Sequence, residues 1–155
     1  PVLYGICLKY MKNEDDAKDV FQESFIIAFQ KIHQYKFEGS FEGWLKRIFI
    51  NKLIETLNKK KKESFFLDIF DPETDFVEED DLEVSTIPQE KLLEYIQDLP
   101  DQYRLVFNLY VFEKMKHKEI AEQLKMSEGT SKSNLNRAKK IIQKRILSIK
   151  NFKTA

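Results

Sequence analysis

Lys118-Glu-Ile-Ala-Glu-Gln-Leu-Lys-Met-Ser-Glu-Gly-Thr-Ser-Lys-Ser-Asn-Leu-Asn-Arg-Ala-Lys-Lys140 is the stretch that decides the fold. Its first seven residues read as a short amphipathic helix. Lys125-Met-Ser127 reads as a tight turn into a second helix, capped by Ser127 with Thr130 three residues on. From Gly129 onward the chain carries Lys132, Arg137, Lys139, Lys140, Lys144, Arg145, Lys150 and Lys153, and no Asp or Glu. Two short helices, a three-residue turn and a basic second helix imply a helix-turn-helix that reads DNA. Along the second helix Ser131, Leu135, Ala138 and Ile142 form a stripe predicted to be buried. Lys132, Ser133, Asn136, Arg137 and Lys140 fall opposite, with Asn134 at the flank, where a major groove would meet them.

Working outward, the chain around this reader is neutral in total and polarised in detail. Its 155 residues are 42% hydrophobic and 34% charged, enough apolar content for a core and too much for a wholly disordered chain. The 26 Lys and Arg match the 26 Asp and Glu in number but not in place. Residues 1–62 hold 12 basic and 8 acidic side chains, residues 63–87 hold 0 and 10, and residues 88–155 hold 14 and 8. Two basic blocks are therefore joined by an acidic strap, which points to polyanion partners for the blocks. The strap itself implies a basic groove to receive it, or competition with nucleic acid. Cys7 is the single cysteine, which excludes an internal disulfide and a cysteine zinc site and implies a reducing compartment. With no run of about 18 apolar residues and no signal-peptide pattern, membrane insertion is not expected. Because residue 1 is Pro rather than Met, the beginning of the first helix is expected to have been trimmed.

Four Gly, four Pro and scarce β-branched alternation predict an all-α chain. Helices are expected near 2–11, 14–34, 41–61, 89–98, 101–113, 116–124 and 128–147, with breaks at Asn13, Lys36-Phe-Glu-Gly-Ser40, Pro72, Pro88 and Pro100. These make two small helical domains, 1–62 and 88–155, joined by the acidic linker 63–87. In the second helix Ala17, Val20, Phe21, Ser24, Ala28 and Ile32 share a face predicted to be core. Asp16, Asp19, Glu23, Ile26 and Gln30, with Gln22 beside them, form an acidic, partly apolar face that packing does not need. In the third helix Phe41, Trp44, Leu45 and Ile48 form one core stripe, and Ile50, Leu53, Ile54 and Leu57 a second. The polar edge between them carries Arg47, Asn51, Glu55, Asn58 and Lys62. Phe37, between Lys36 and Glu38 in a Gly-Ser loop, has no helical core slot.

Two of these blocks, in this order, resemble the bacterial RNA polymerase sigma factors of the sigma-70 family, and within it the small extracytoplasmic-function (ECF) group. Asp16-Ala-Lys-Asp-Val-Phe-Gln-Glu-Ser-Phe25, Phe37-Glu-Gly-Ser-Phe-Glu-Gly-Trp-Leu-Lys-Arg-Ile48 and Asn51 are similar to its polymerase-binding and promoter-melting domain. Leu99-Pro-Asp-Gln-Tyr-Arg104, Lys118-Glu-Ile-Ala121 and Glu128-Gly-Thr-Ser-Lys-Ser-Asn-Leu-Asn-Arg-Ala-Lys139 are similar to its −35-reading domain. The resemblance implies a cytoplasmic transcription initiation factor that binds core RNA polymerase, through the β′ clamp helices and the β subunit, and promoter DNA. It also implies an anti-sigma factor as partner. Asp16, Asp19, Gln22 and Glu23 would meet the clamp helices; Phe37, Arg47, Asn51, Asn58 and Lys62 would hold melted −10 bases and their phosphates. Thr130, Lys132, Ser133, Asn134, Asn136, Arg137 and Lys140 would contact the −35 duplex. Two positions depart from the family pattern: Ser131 stands where an aliphatic residue is usual, and Asn134 where Arg is common. Asn reads adenine and Arg guanine, so the −35 sequence does not carry over from relatives.

The 25-residue strap reaches about 80 to 90 Å when extended, against roughly 50 to 55 Å for a turn and a half of duplex, so it is long enough to join readers of two promoter elements. A stand-alone helix-turn-helix regulator with an N-terminal dimerisation domain is the alternative reading. An enzyme is not expected: no nucleophile sits beside a base and no glycine loop cradles a phosphate. No metal or cofactor is expected either, since His33 and His117 lack ligand spacing and Glu78-Glu-Asp-Asp81 lacks the glycine turn of a calcium loop.

Overall fold

The structure, a computed structural model, describes residues 2–63 and 87–154, and the side chains of 2–60 and 87–149. Most of the acidic strap, with Phe65, Phe66, Phe70 and Phe76, and the Lys62 side chain lie outside the described residues. Among the described residues all regular structure is helical, and the chain divides into two compact units.

The first unit consists of α1 (Val2–Tyr10), α2 (Glu14–Lys31), a 3-10 turn (Ile32–Gln34) and α3 (Phe41–Glu63). Asn13 starts α2: its Oδ1 accepts the Asp16 backbone N–H at 2.9 Å, satisfying one of the amides the first turn leaves open. Glu14, Asp15 and Asp16 then place negative charge at the positive end of the helix dipole. The core is drawn from Cys7, Tyr10 and Met11, from Ala17, Val20, Ser24 and Ala28, and from Phe49, Leu53, Ile54 and Leu57. Burial pushes the Cys7 thiol up to about 11, so it holds its proton and is not a nucleophile at neutral pH. Phe49, fully buried, meets Phe21 and Phe25 edge to face at centroid distances of 5.8 and 5.2 Å, and its burial alone contributes about 1.5 to 3 kcal/mol.

Three expectations fail in this unit. The second helix ends at Lys31, not near residue 34, because the chain tightens into a 3-10 turn closed by the Tyr35 N–H on the Ile32 carbonyl at 3.2 Å. That turn takes Ile32 off the core face and leaves it 51% exposed. Phe41, assigned to a core stripe, is 47% exposed, and Trp44 is half-buried.

The second unit contains α4 (Gln89–Gln97), α5 (Asp101–Val111), α6 (His117–Leu124) and α7 (Glu128–Thr154). Pro88 and Pro100 stand immediately before α4 and α5, where a missing N–H costs nothing. Arg104 is the largest fully buried side chain; it donates to the carbonyls of Gln97 at 3.2 Å and Leu99 at 2.8 Å and pairs with Asp101. One guanidinium thereby satisfies the Gln97 carbonyl at the end of α4 and the Leu99 carbonyl of the link to α5. The long α7 packs chiefly on α5 and α6, burying Ser131, Leu135, Ala138 and Ile142 as the spacing predicts. Further along, Arg145 pairs with Asp98 and lies 4.6 Å from the Tyr95 ring centroid, tying α7 to α4. Among the described residues no helix is long and apolar enough to cross a membrane.

Candidate nucleic-acid interface

The turn between α6 and α7 aims the basic helix. Lys125 closes α6 in the left-handed region, φ 54° and ψ 50°, and Met126 N–H reaches back to the Ala121 carbonyl at 3.0 Å. Ser127 then caps α7 as expected: its Oγ accepts the Thr130 N–H at 3.0 Å and its hydroxyl donates to Thr130 Oγ1 at 2.9 Å. Lys132 is exposed beyond that cap, while Thr130, Ser133, Asn136, Arg137 and Lys140 are half-buried. Arg137 Nη1 donates to the Tyr103 hydroxyl at 3.2 Å, so α5 already holds this guanidinium in the free chain. Asn134 is set apart from these residues by its burial. It is 7% exposed, because the flank of a helix packed on both α5 and α6 is interior rather than surface.

His117, given no functional role from sequence, is the first residue of α6, and its Nδ1 lies 2.8 Å from Ser131 Oγ. The ring stacks on Tyr110 at a centroid distance of 4.6 Å and an interplanar angle of 19°. Burial, then Lys132 and Lys139, hold its pKa below the ordinary histidine value, against a smaller opposing pull from Glu128. The buried Ser131 hydroxyl is thus satisfied by a hydrogen bond.

In the first unit the loop before α3 presents aromatic rings. Phe37 is 86% exposed and holds φ at 57°, a left-handed conformation that a bulky side chain rarely adopts. It leans on Tyr35 at 5.0 Å, and Tyr35 also meets Phe41 at 5.6 Å and Trp44 at 5.4 Å. The Tyr35 hydroxyl donates to the Gly39 carbonyl at 2.8 Å, closing the loop. Ser40 caps α3, its Oγ accepting the Gly43 N–H at 3.0 Å. Trp44, Arg47, Asn51 and Asn58 follow at spacings of three, four and seven along one side of α3. Arg47 and Asn51 are exposed and Asn58 half-buried, so the rings run into a polar, cationic edge. Tyr35 was missed from sequence; its only signal there was an aromatic at the rim of a Gly-Ser loop.

Asp16, Asp19 and Glu23 share a face of α2, and two of these three have partners. Asp16 pairs with Lys60 at 3.1 Å and Glu23 with Lys52 at 3.4 Å, both lysines belonging to α3. Asp19 and Gln22 are exposed, and the face continues through exposed Ile26 and Phe29, the latter 75% exposed and unforeseen. Among the described residues no cluster of metal-ligating side chains occurs.

Comparison with known proteins agrees with this geometry. Residues 1–63 match the family model for sigma-70 region 2, and residues 89–142 match that for sigma-70 region 4. The ECF RNA polymerase sigma factor SigW of Bacillus subtilis is 30% identical, with 93% of this chain and 82% of SigW covered. SigM of the same organism is 31% identical over 88% of this chain and 83% of its own. Among solved structures, the Bartonella quintana sigma factor RpoE, crystallised with the anti-sigma factor NepR, shares the fold with a TM-score of 0.56 at 19% identity, covering 93% of this chain and 89% of that one. Nothing in these matches supports a stand-alone regulator, and two sigma regions in order, with relatives matched over most of their length, settle the assignment: the chain belongs to the ECF RNA polymerase sigma factors, transcription initiation factors that direct the polymerase to promoters and are not enzymes.

Proposed function

We propose that the two units divide promoter recognition, the first docking on core polymerase and holding melted −10 bases, the second reading the −35 duplex. Asp16, Asp19, Gln22 and Glu23, continued by Ile26 and Phe29, form the face for the β′ clamp helices, and the β subunit is a second contact. Phe37 stacks on an extruded base, Arg47 and Lys62 meet phosphates, and Asn51 and Asn58 offer amides to base edges. Thr130, Lys132, Ser133, Asn136, Arg137 and Lys140 face the −35 groove, with Asn134 left to packing. The chain works where polymerase does, in the cytoplasm, and the anti-sigma factor bound by the Bartonella protein supports a partner of that kind here.

The observation that carries this reading is Phe37, an aromatic 86% exposed on a left-handed backbone, backed by Tyr35. A core residue is not held this way, whereas a base needs an open π-face. Stacking on one ring is worth about 1 to 3 kcal/mol, so Phe37→Ala should slow open-complex formation by roughly one to two orders of magnitude. Permanganate footprinting of start-site thymines measures this. Binding to core should persist, and a template mismatched across −10 should restore much of the opening. Normal opening on intact duplex would remove Phe37 from the mechanism.

A further inference from the structure

We propose that His117 is a positioning residue for −35 reading, its hydrogen bond to Ser131 fixing the roll of α7 about its own axis and thereby which bases the exposed face meets. The proposal rests on that face being the reader. One imidazole touches all three helices of the reading core: it is the first residue of α6, stacks on Tyr110 of α5 and lies 2.8 Å from Ser131 of α7. Ser131 is fully buried, in the first turns of α7, between Thr130 and Lys132 of the expected contact face. An aliphatic side chain there would pack by dispersion, which tolerates small rotations; a hydrogen bond is directional and weakens steeply when misaligned. Roll is the sensitive coordinate. With side chains at a radius of about 5 to 6 Å, a rotation of roughly 10° moves their tips by about 1 Å, beyond the tolerance of a bidentate base contact. The Tyr103 hydroxyl holds Arg137 only if α7 keeps that orientation, since the bond spans helices 34 residues apart in sequence. His117 itself need not touch DNA for this role.

The test uses the full chain assembled with core polymerase, selecting promoters from a library with a fixed −10 and randomised −35. Wild type is compared with His117→Asn, whose amide places a hydrogen-bonding atom near the position of Nδ1, and with His117→Leu, Ser131→Ala and the double His117→Leu/Ser131→Val. Circular dichroism and thermal melts establish which variants fold. His117→Asn should keep the wild-type motif. His117→Leu and Ser131→Ala should lose about tenfold in enrichment at one or more −35 positions, with the salt dependence of binding unchanged because phosphate contacts remain. The apolar double variant should regain melting temperature without regaining the motif. If the folded single variants select the wild-type motif undiminished, or the double variant recovers stability and motif together, the pair is packing and the proposal is wrong. Should His117→Leu fail to fold, Ser131→Ala carries the same comparison. A wild type that selects no −35 motif would instead sink the reading of the face itself, and this proposal with it.

Discussion

At the scale of single residues, the described backbone carries strain at three non-glycine positions. Phe37, Lys114 and Lys125 all adopt positive φ. Lys125 ends α6 where glycine is the usual residue, and its side chain is exposed. Left-handed geometry costs a non-glycine residue about 1 to 2 kcal/mol, so Lys125→Gly should raise the stability of the second unit by about 1 kcal/mol after the entropic cost of glycine. Urea titration of the reader would show it as a higher midpoint with unchanged slope; a lower midpoint would mean that the lysine stem packs. His117 gives a pH signature at the same scale. Its folded pKa lies below the unfolded value, through burial and through Lys132 and Lys139, with Glu128 opposing. The fold therefore favours the neutral ring: stability from this group is fully present above about pH 6.5 and is lost as pH falls through the folded pKa. Wild type should lose more stability than His117→Asn between pH 7.5 and 5.5, and equal losses would leave His117 out of the acid response.

At the scale of elements, the proposed docking face of α2 also carries ion pairs to α3. Asp19 is exposed with no bond to a described residue, so Asp19→Lys should change stability by no more than about 0.5 kcal/mol while core binding falls sharply. Glu23→Lys sets a cation against Lys52 and should cost up to about 1 kcal/mol more, besides weakening core binding. Pull-down with core polymerase, alongside thermal melts, separates the two effects; a folded Asp19→Lys with undiminished affinity would refute the docking face. The elements themselves were largely legible in the sequence, since caps such as Ser127 and Asn13 and prolines such as Pro88 and Pro100 act locally. The misplaced apolar side chains share one cause. Periodicity says that Ile32 or Phe41 is apolar and on a given side, but not whether that side meets this chain or another molecule. The burial of Asn134 was hidden for the converse reason: a polar residue on a flank looks solvated until both neighbouring helices are in place. The His117–Ser131 bond crosses a turn between two helices, and no spacing within either helix encodes it.

At the scale of the whole molecule, the neutral charge total conceals a field. Residues 63–87 carry ten acidic side chains and no basic ones, against net charges of +4 for residues 1–62 and +6 for residues 88–155 (12 less 8, and 14 less 8). Duplex DNA approaching the free chain meets a polyelectrolyte whose cationic blocks are offset by an equal anionic charge in the same chain. Replacing the ten acids of this stretch by Asn and Gln would take the net charge from 0 to +10 and would touch the described helices only at Glu63, the last residue of α3. Affinity of the free chain for a duplex lacking any promoter sequence should then rise by about tenfold at low salt. The gain should fade toward physiological salt, where the Debye length of about 8 Å screens all but near charges. Fluorescence anisotropy across a salt series measures both the gain and its slope. A variant that binds no better than wild type at low salt would show that the acidic stretch exerts no field on the reader. A gain that persists at high salt would point to direct occlusion of the reading face by that stretch in place of a long-range effect.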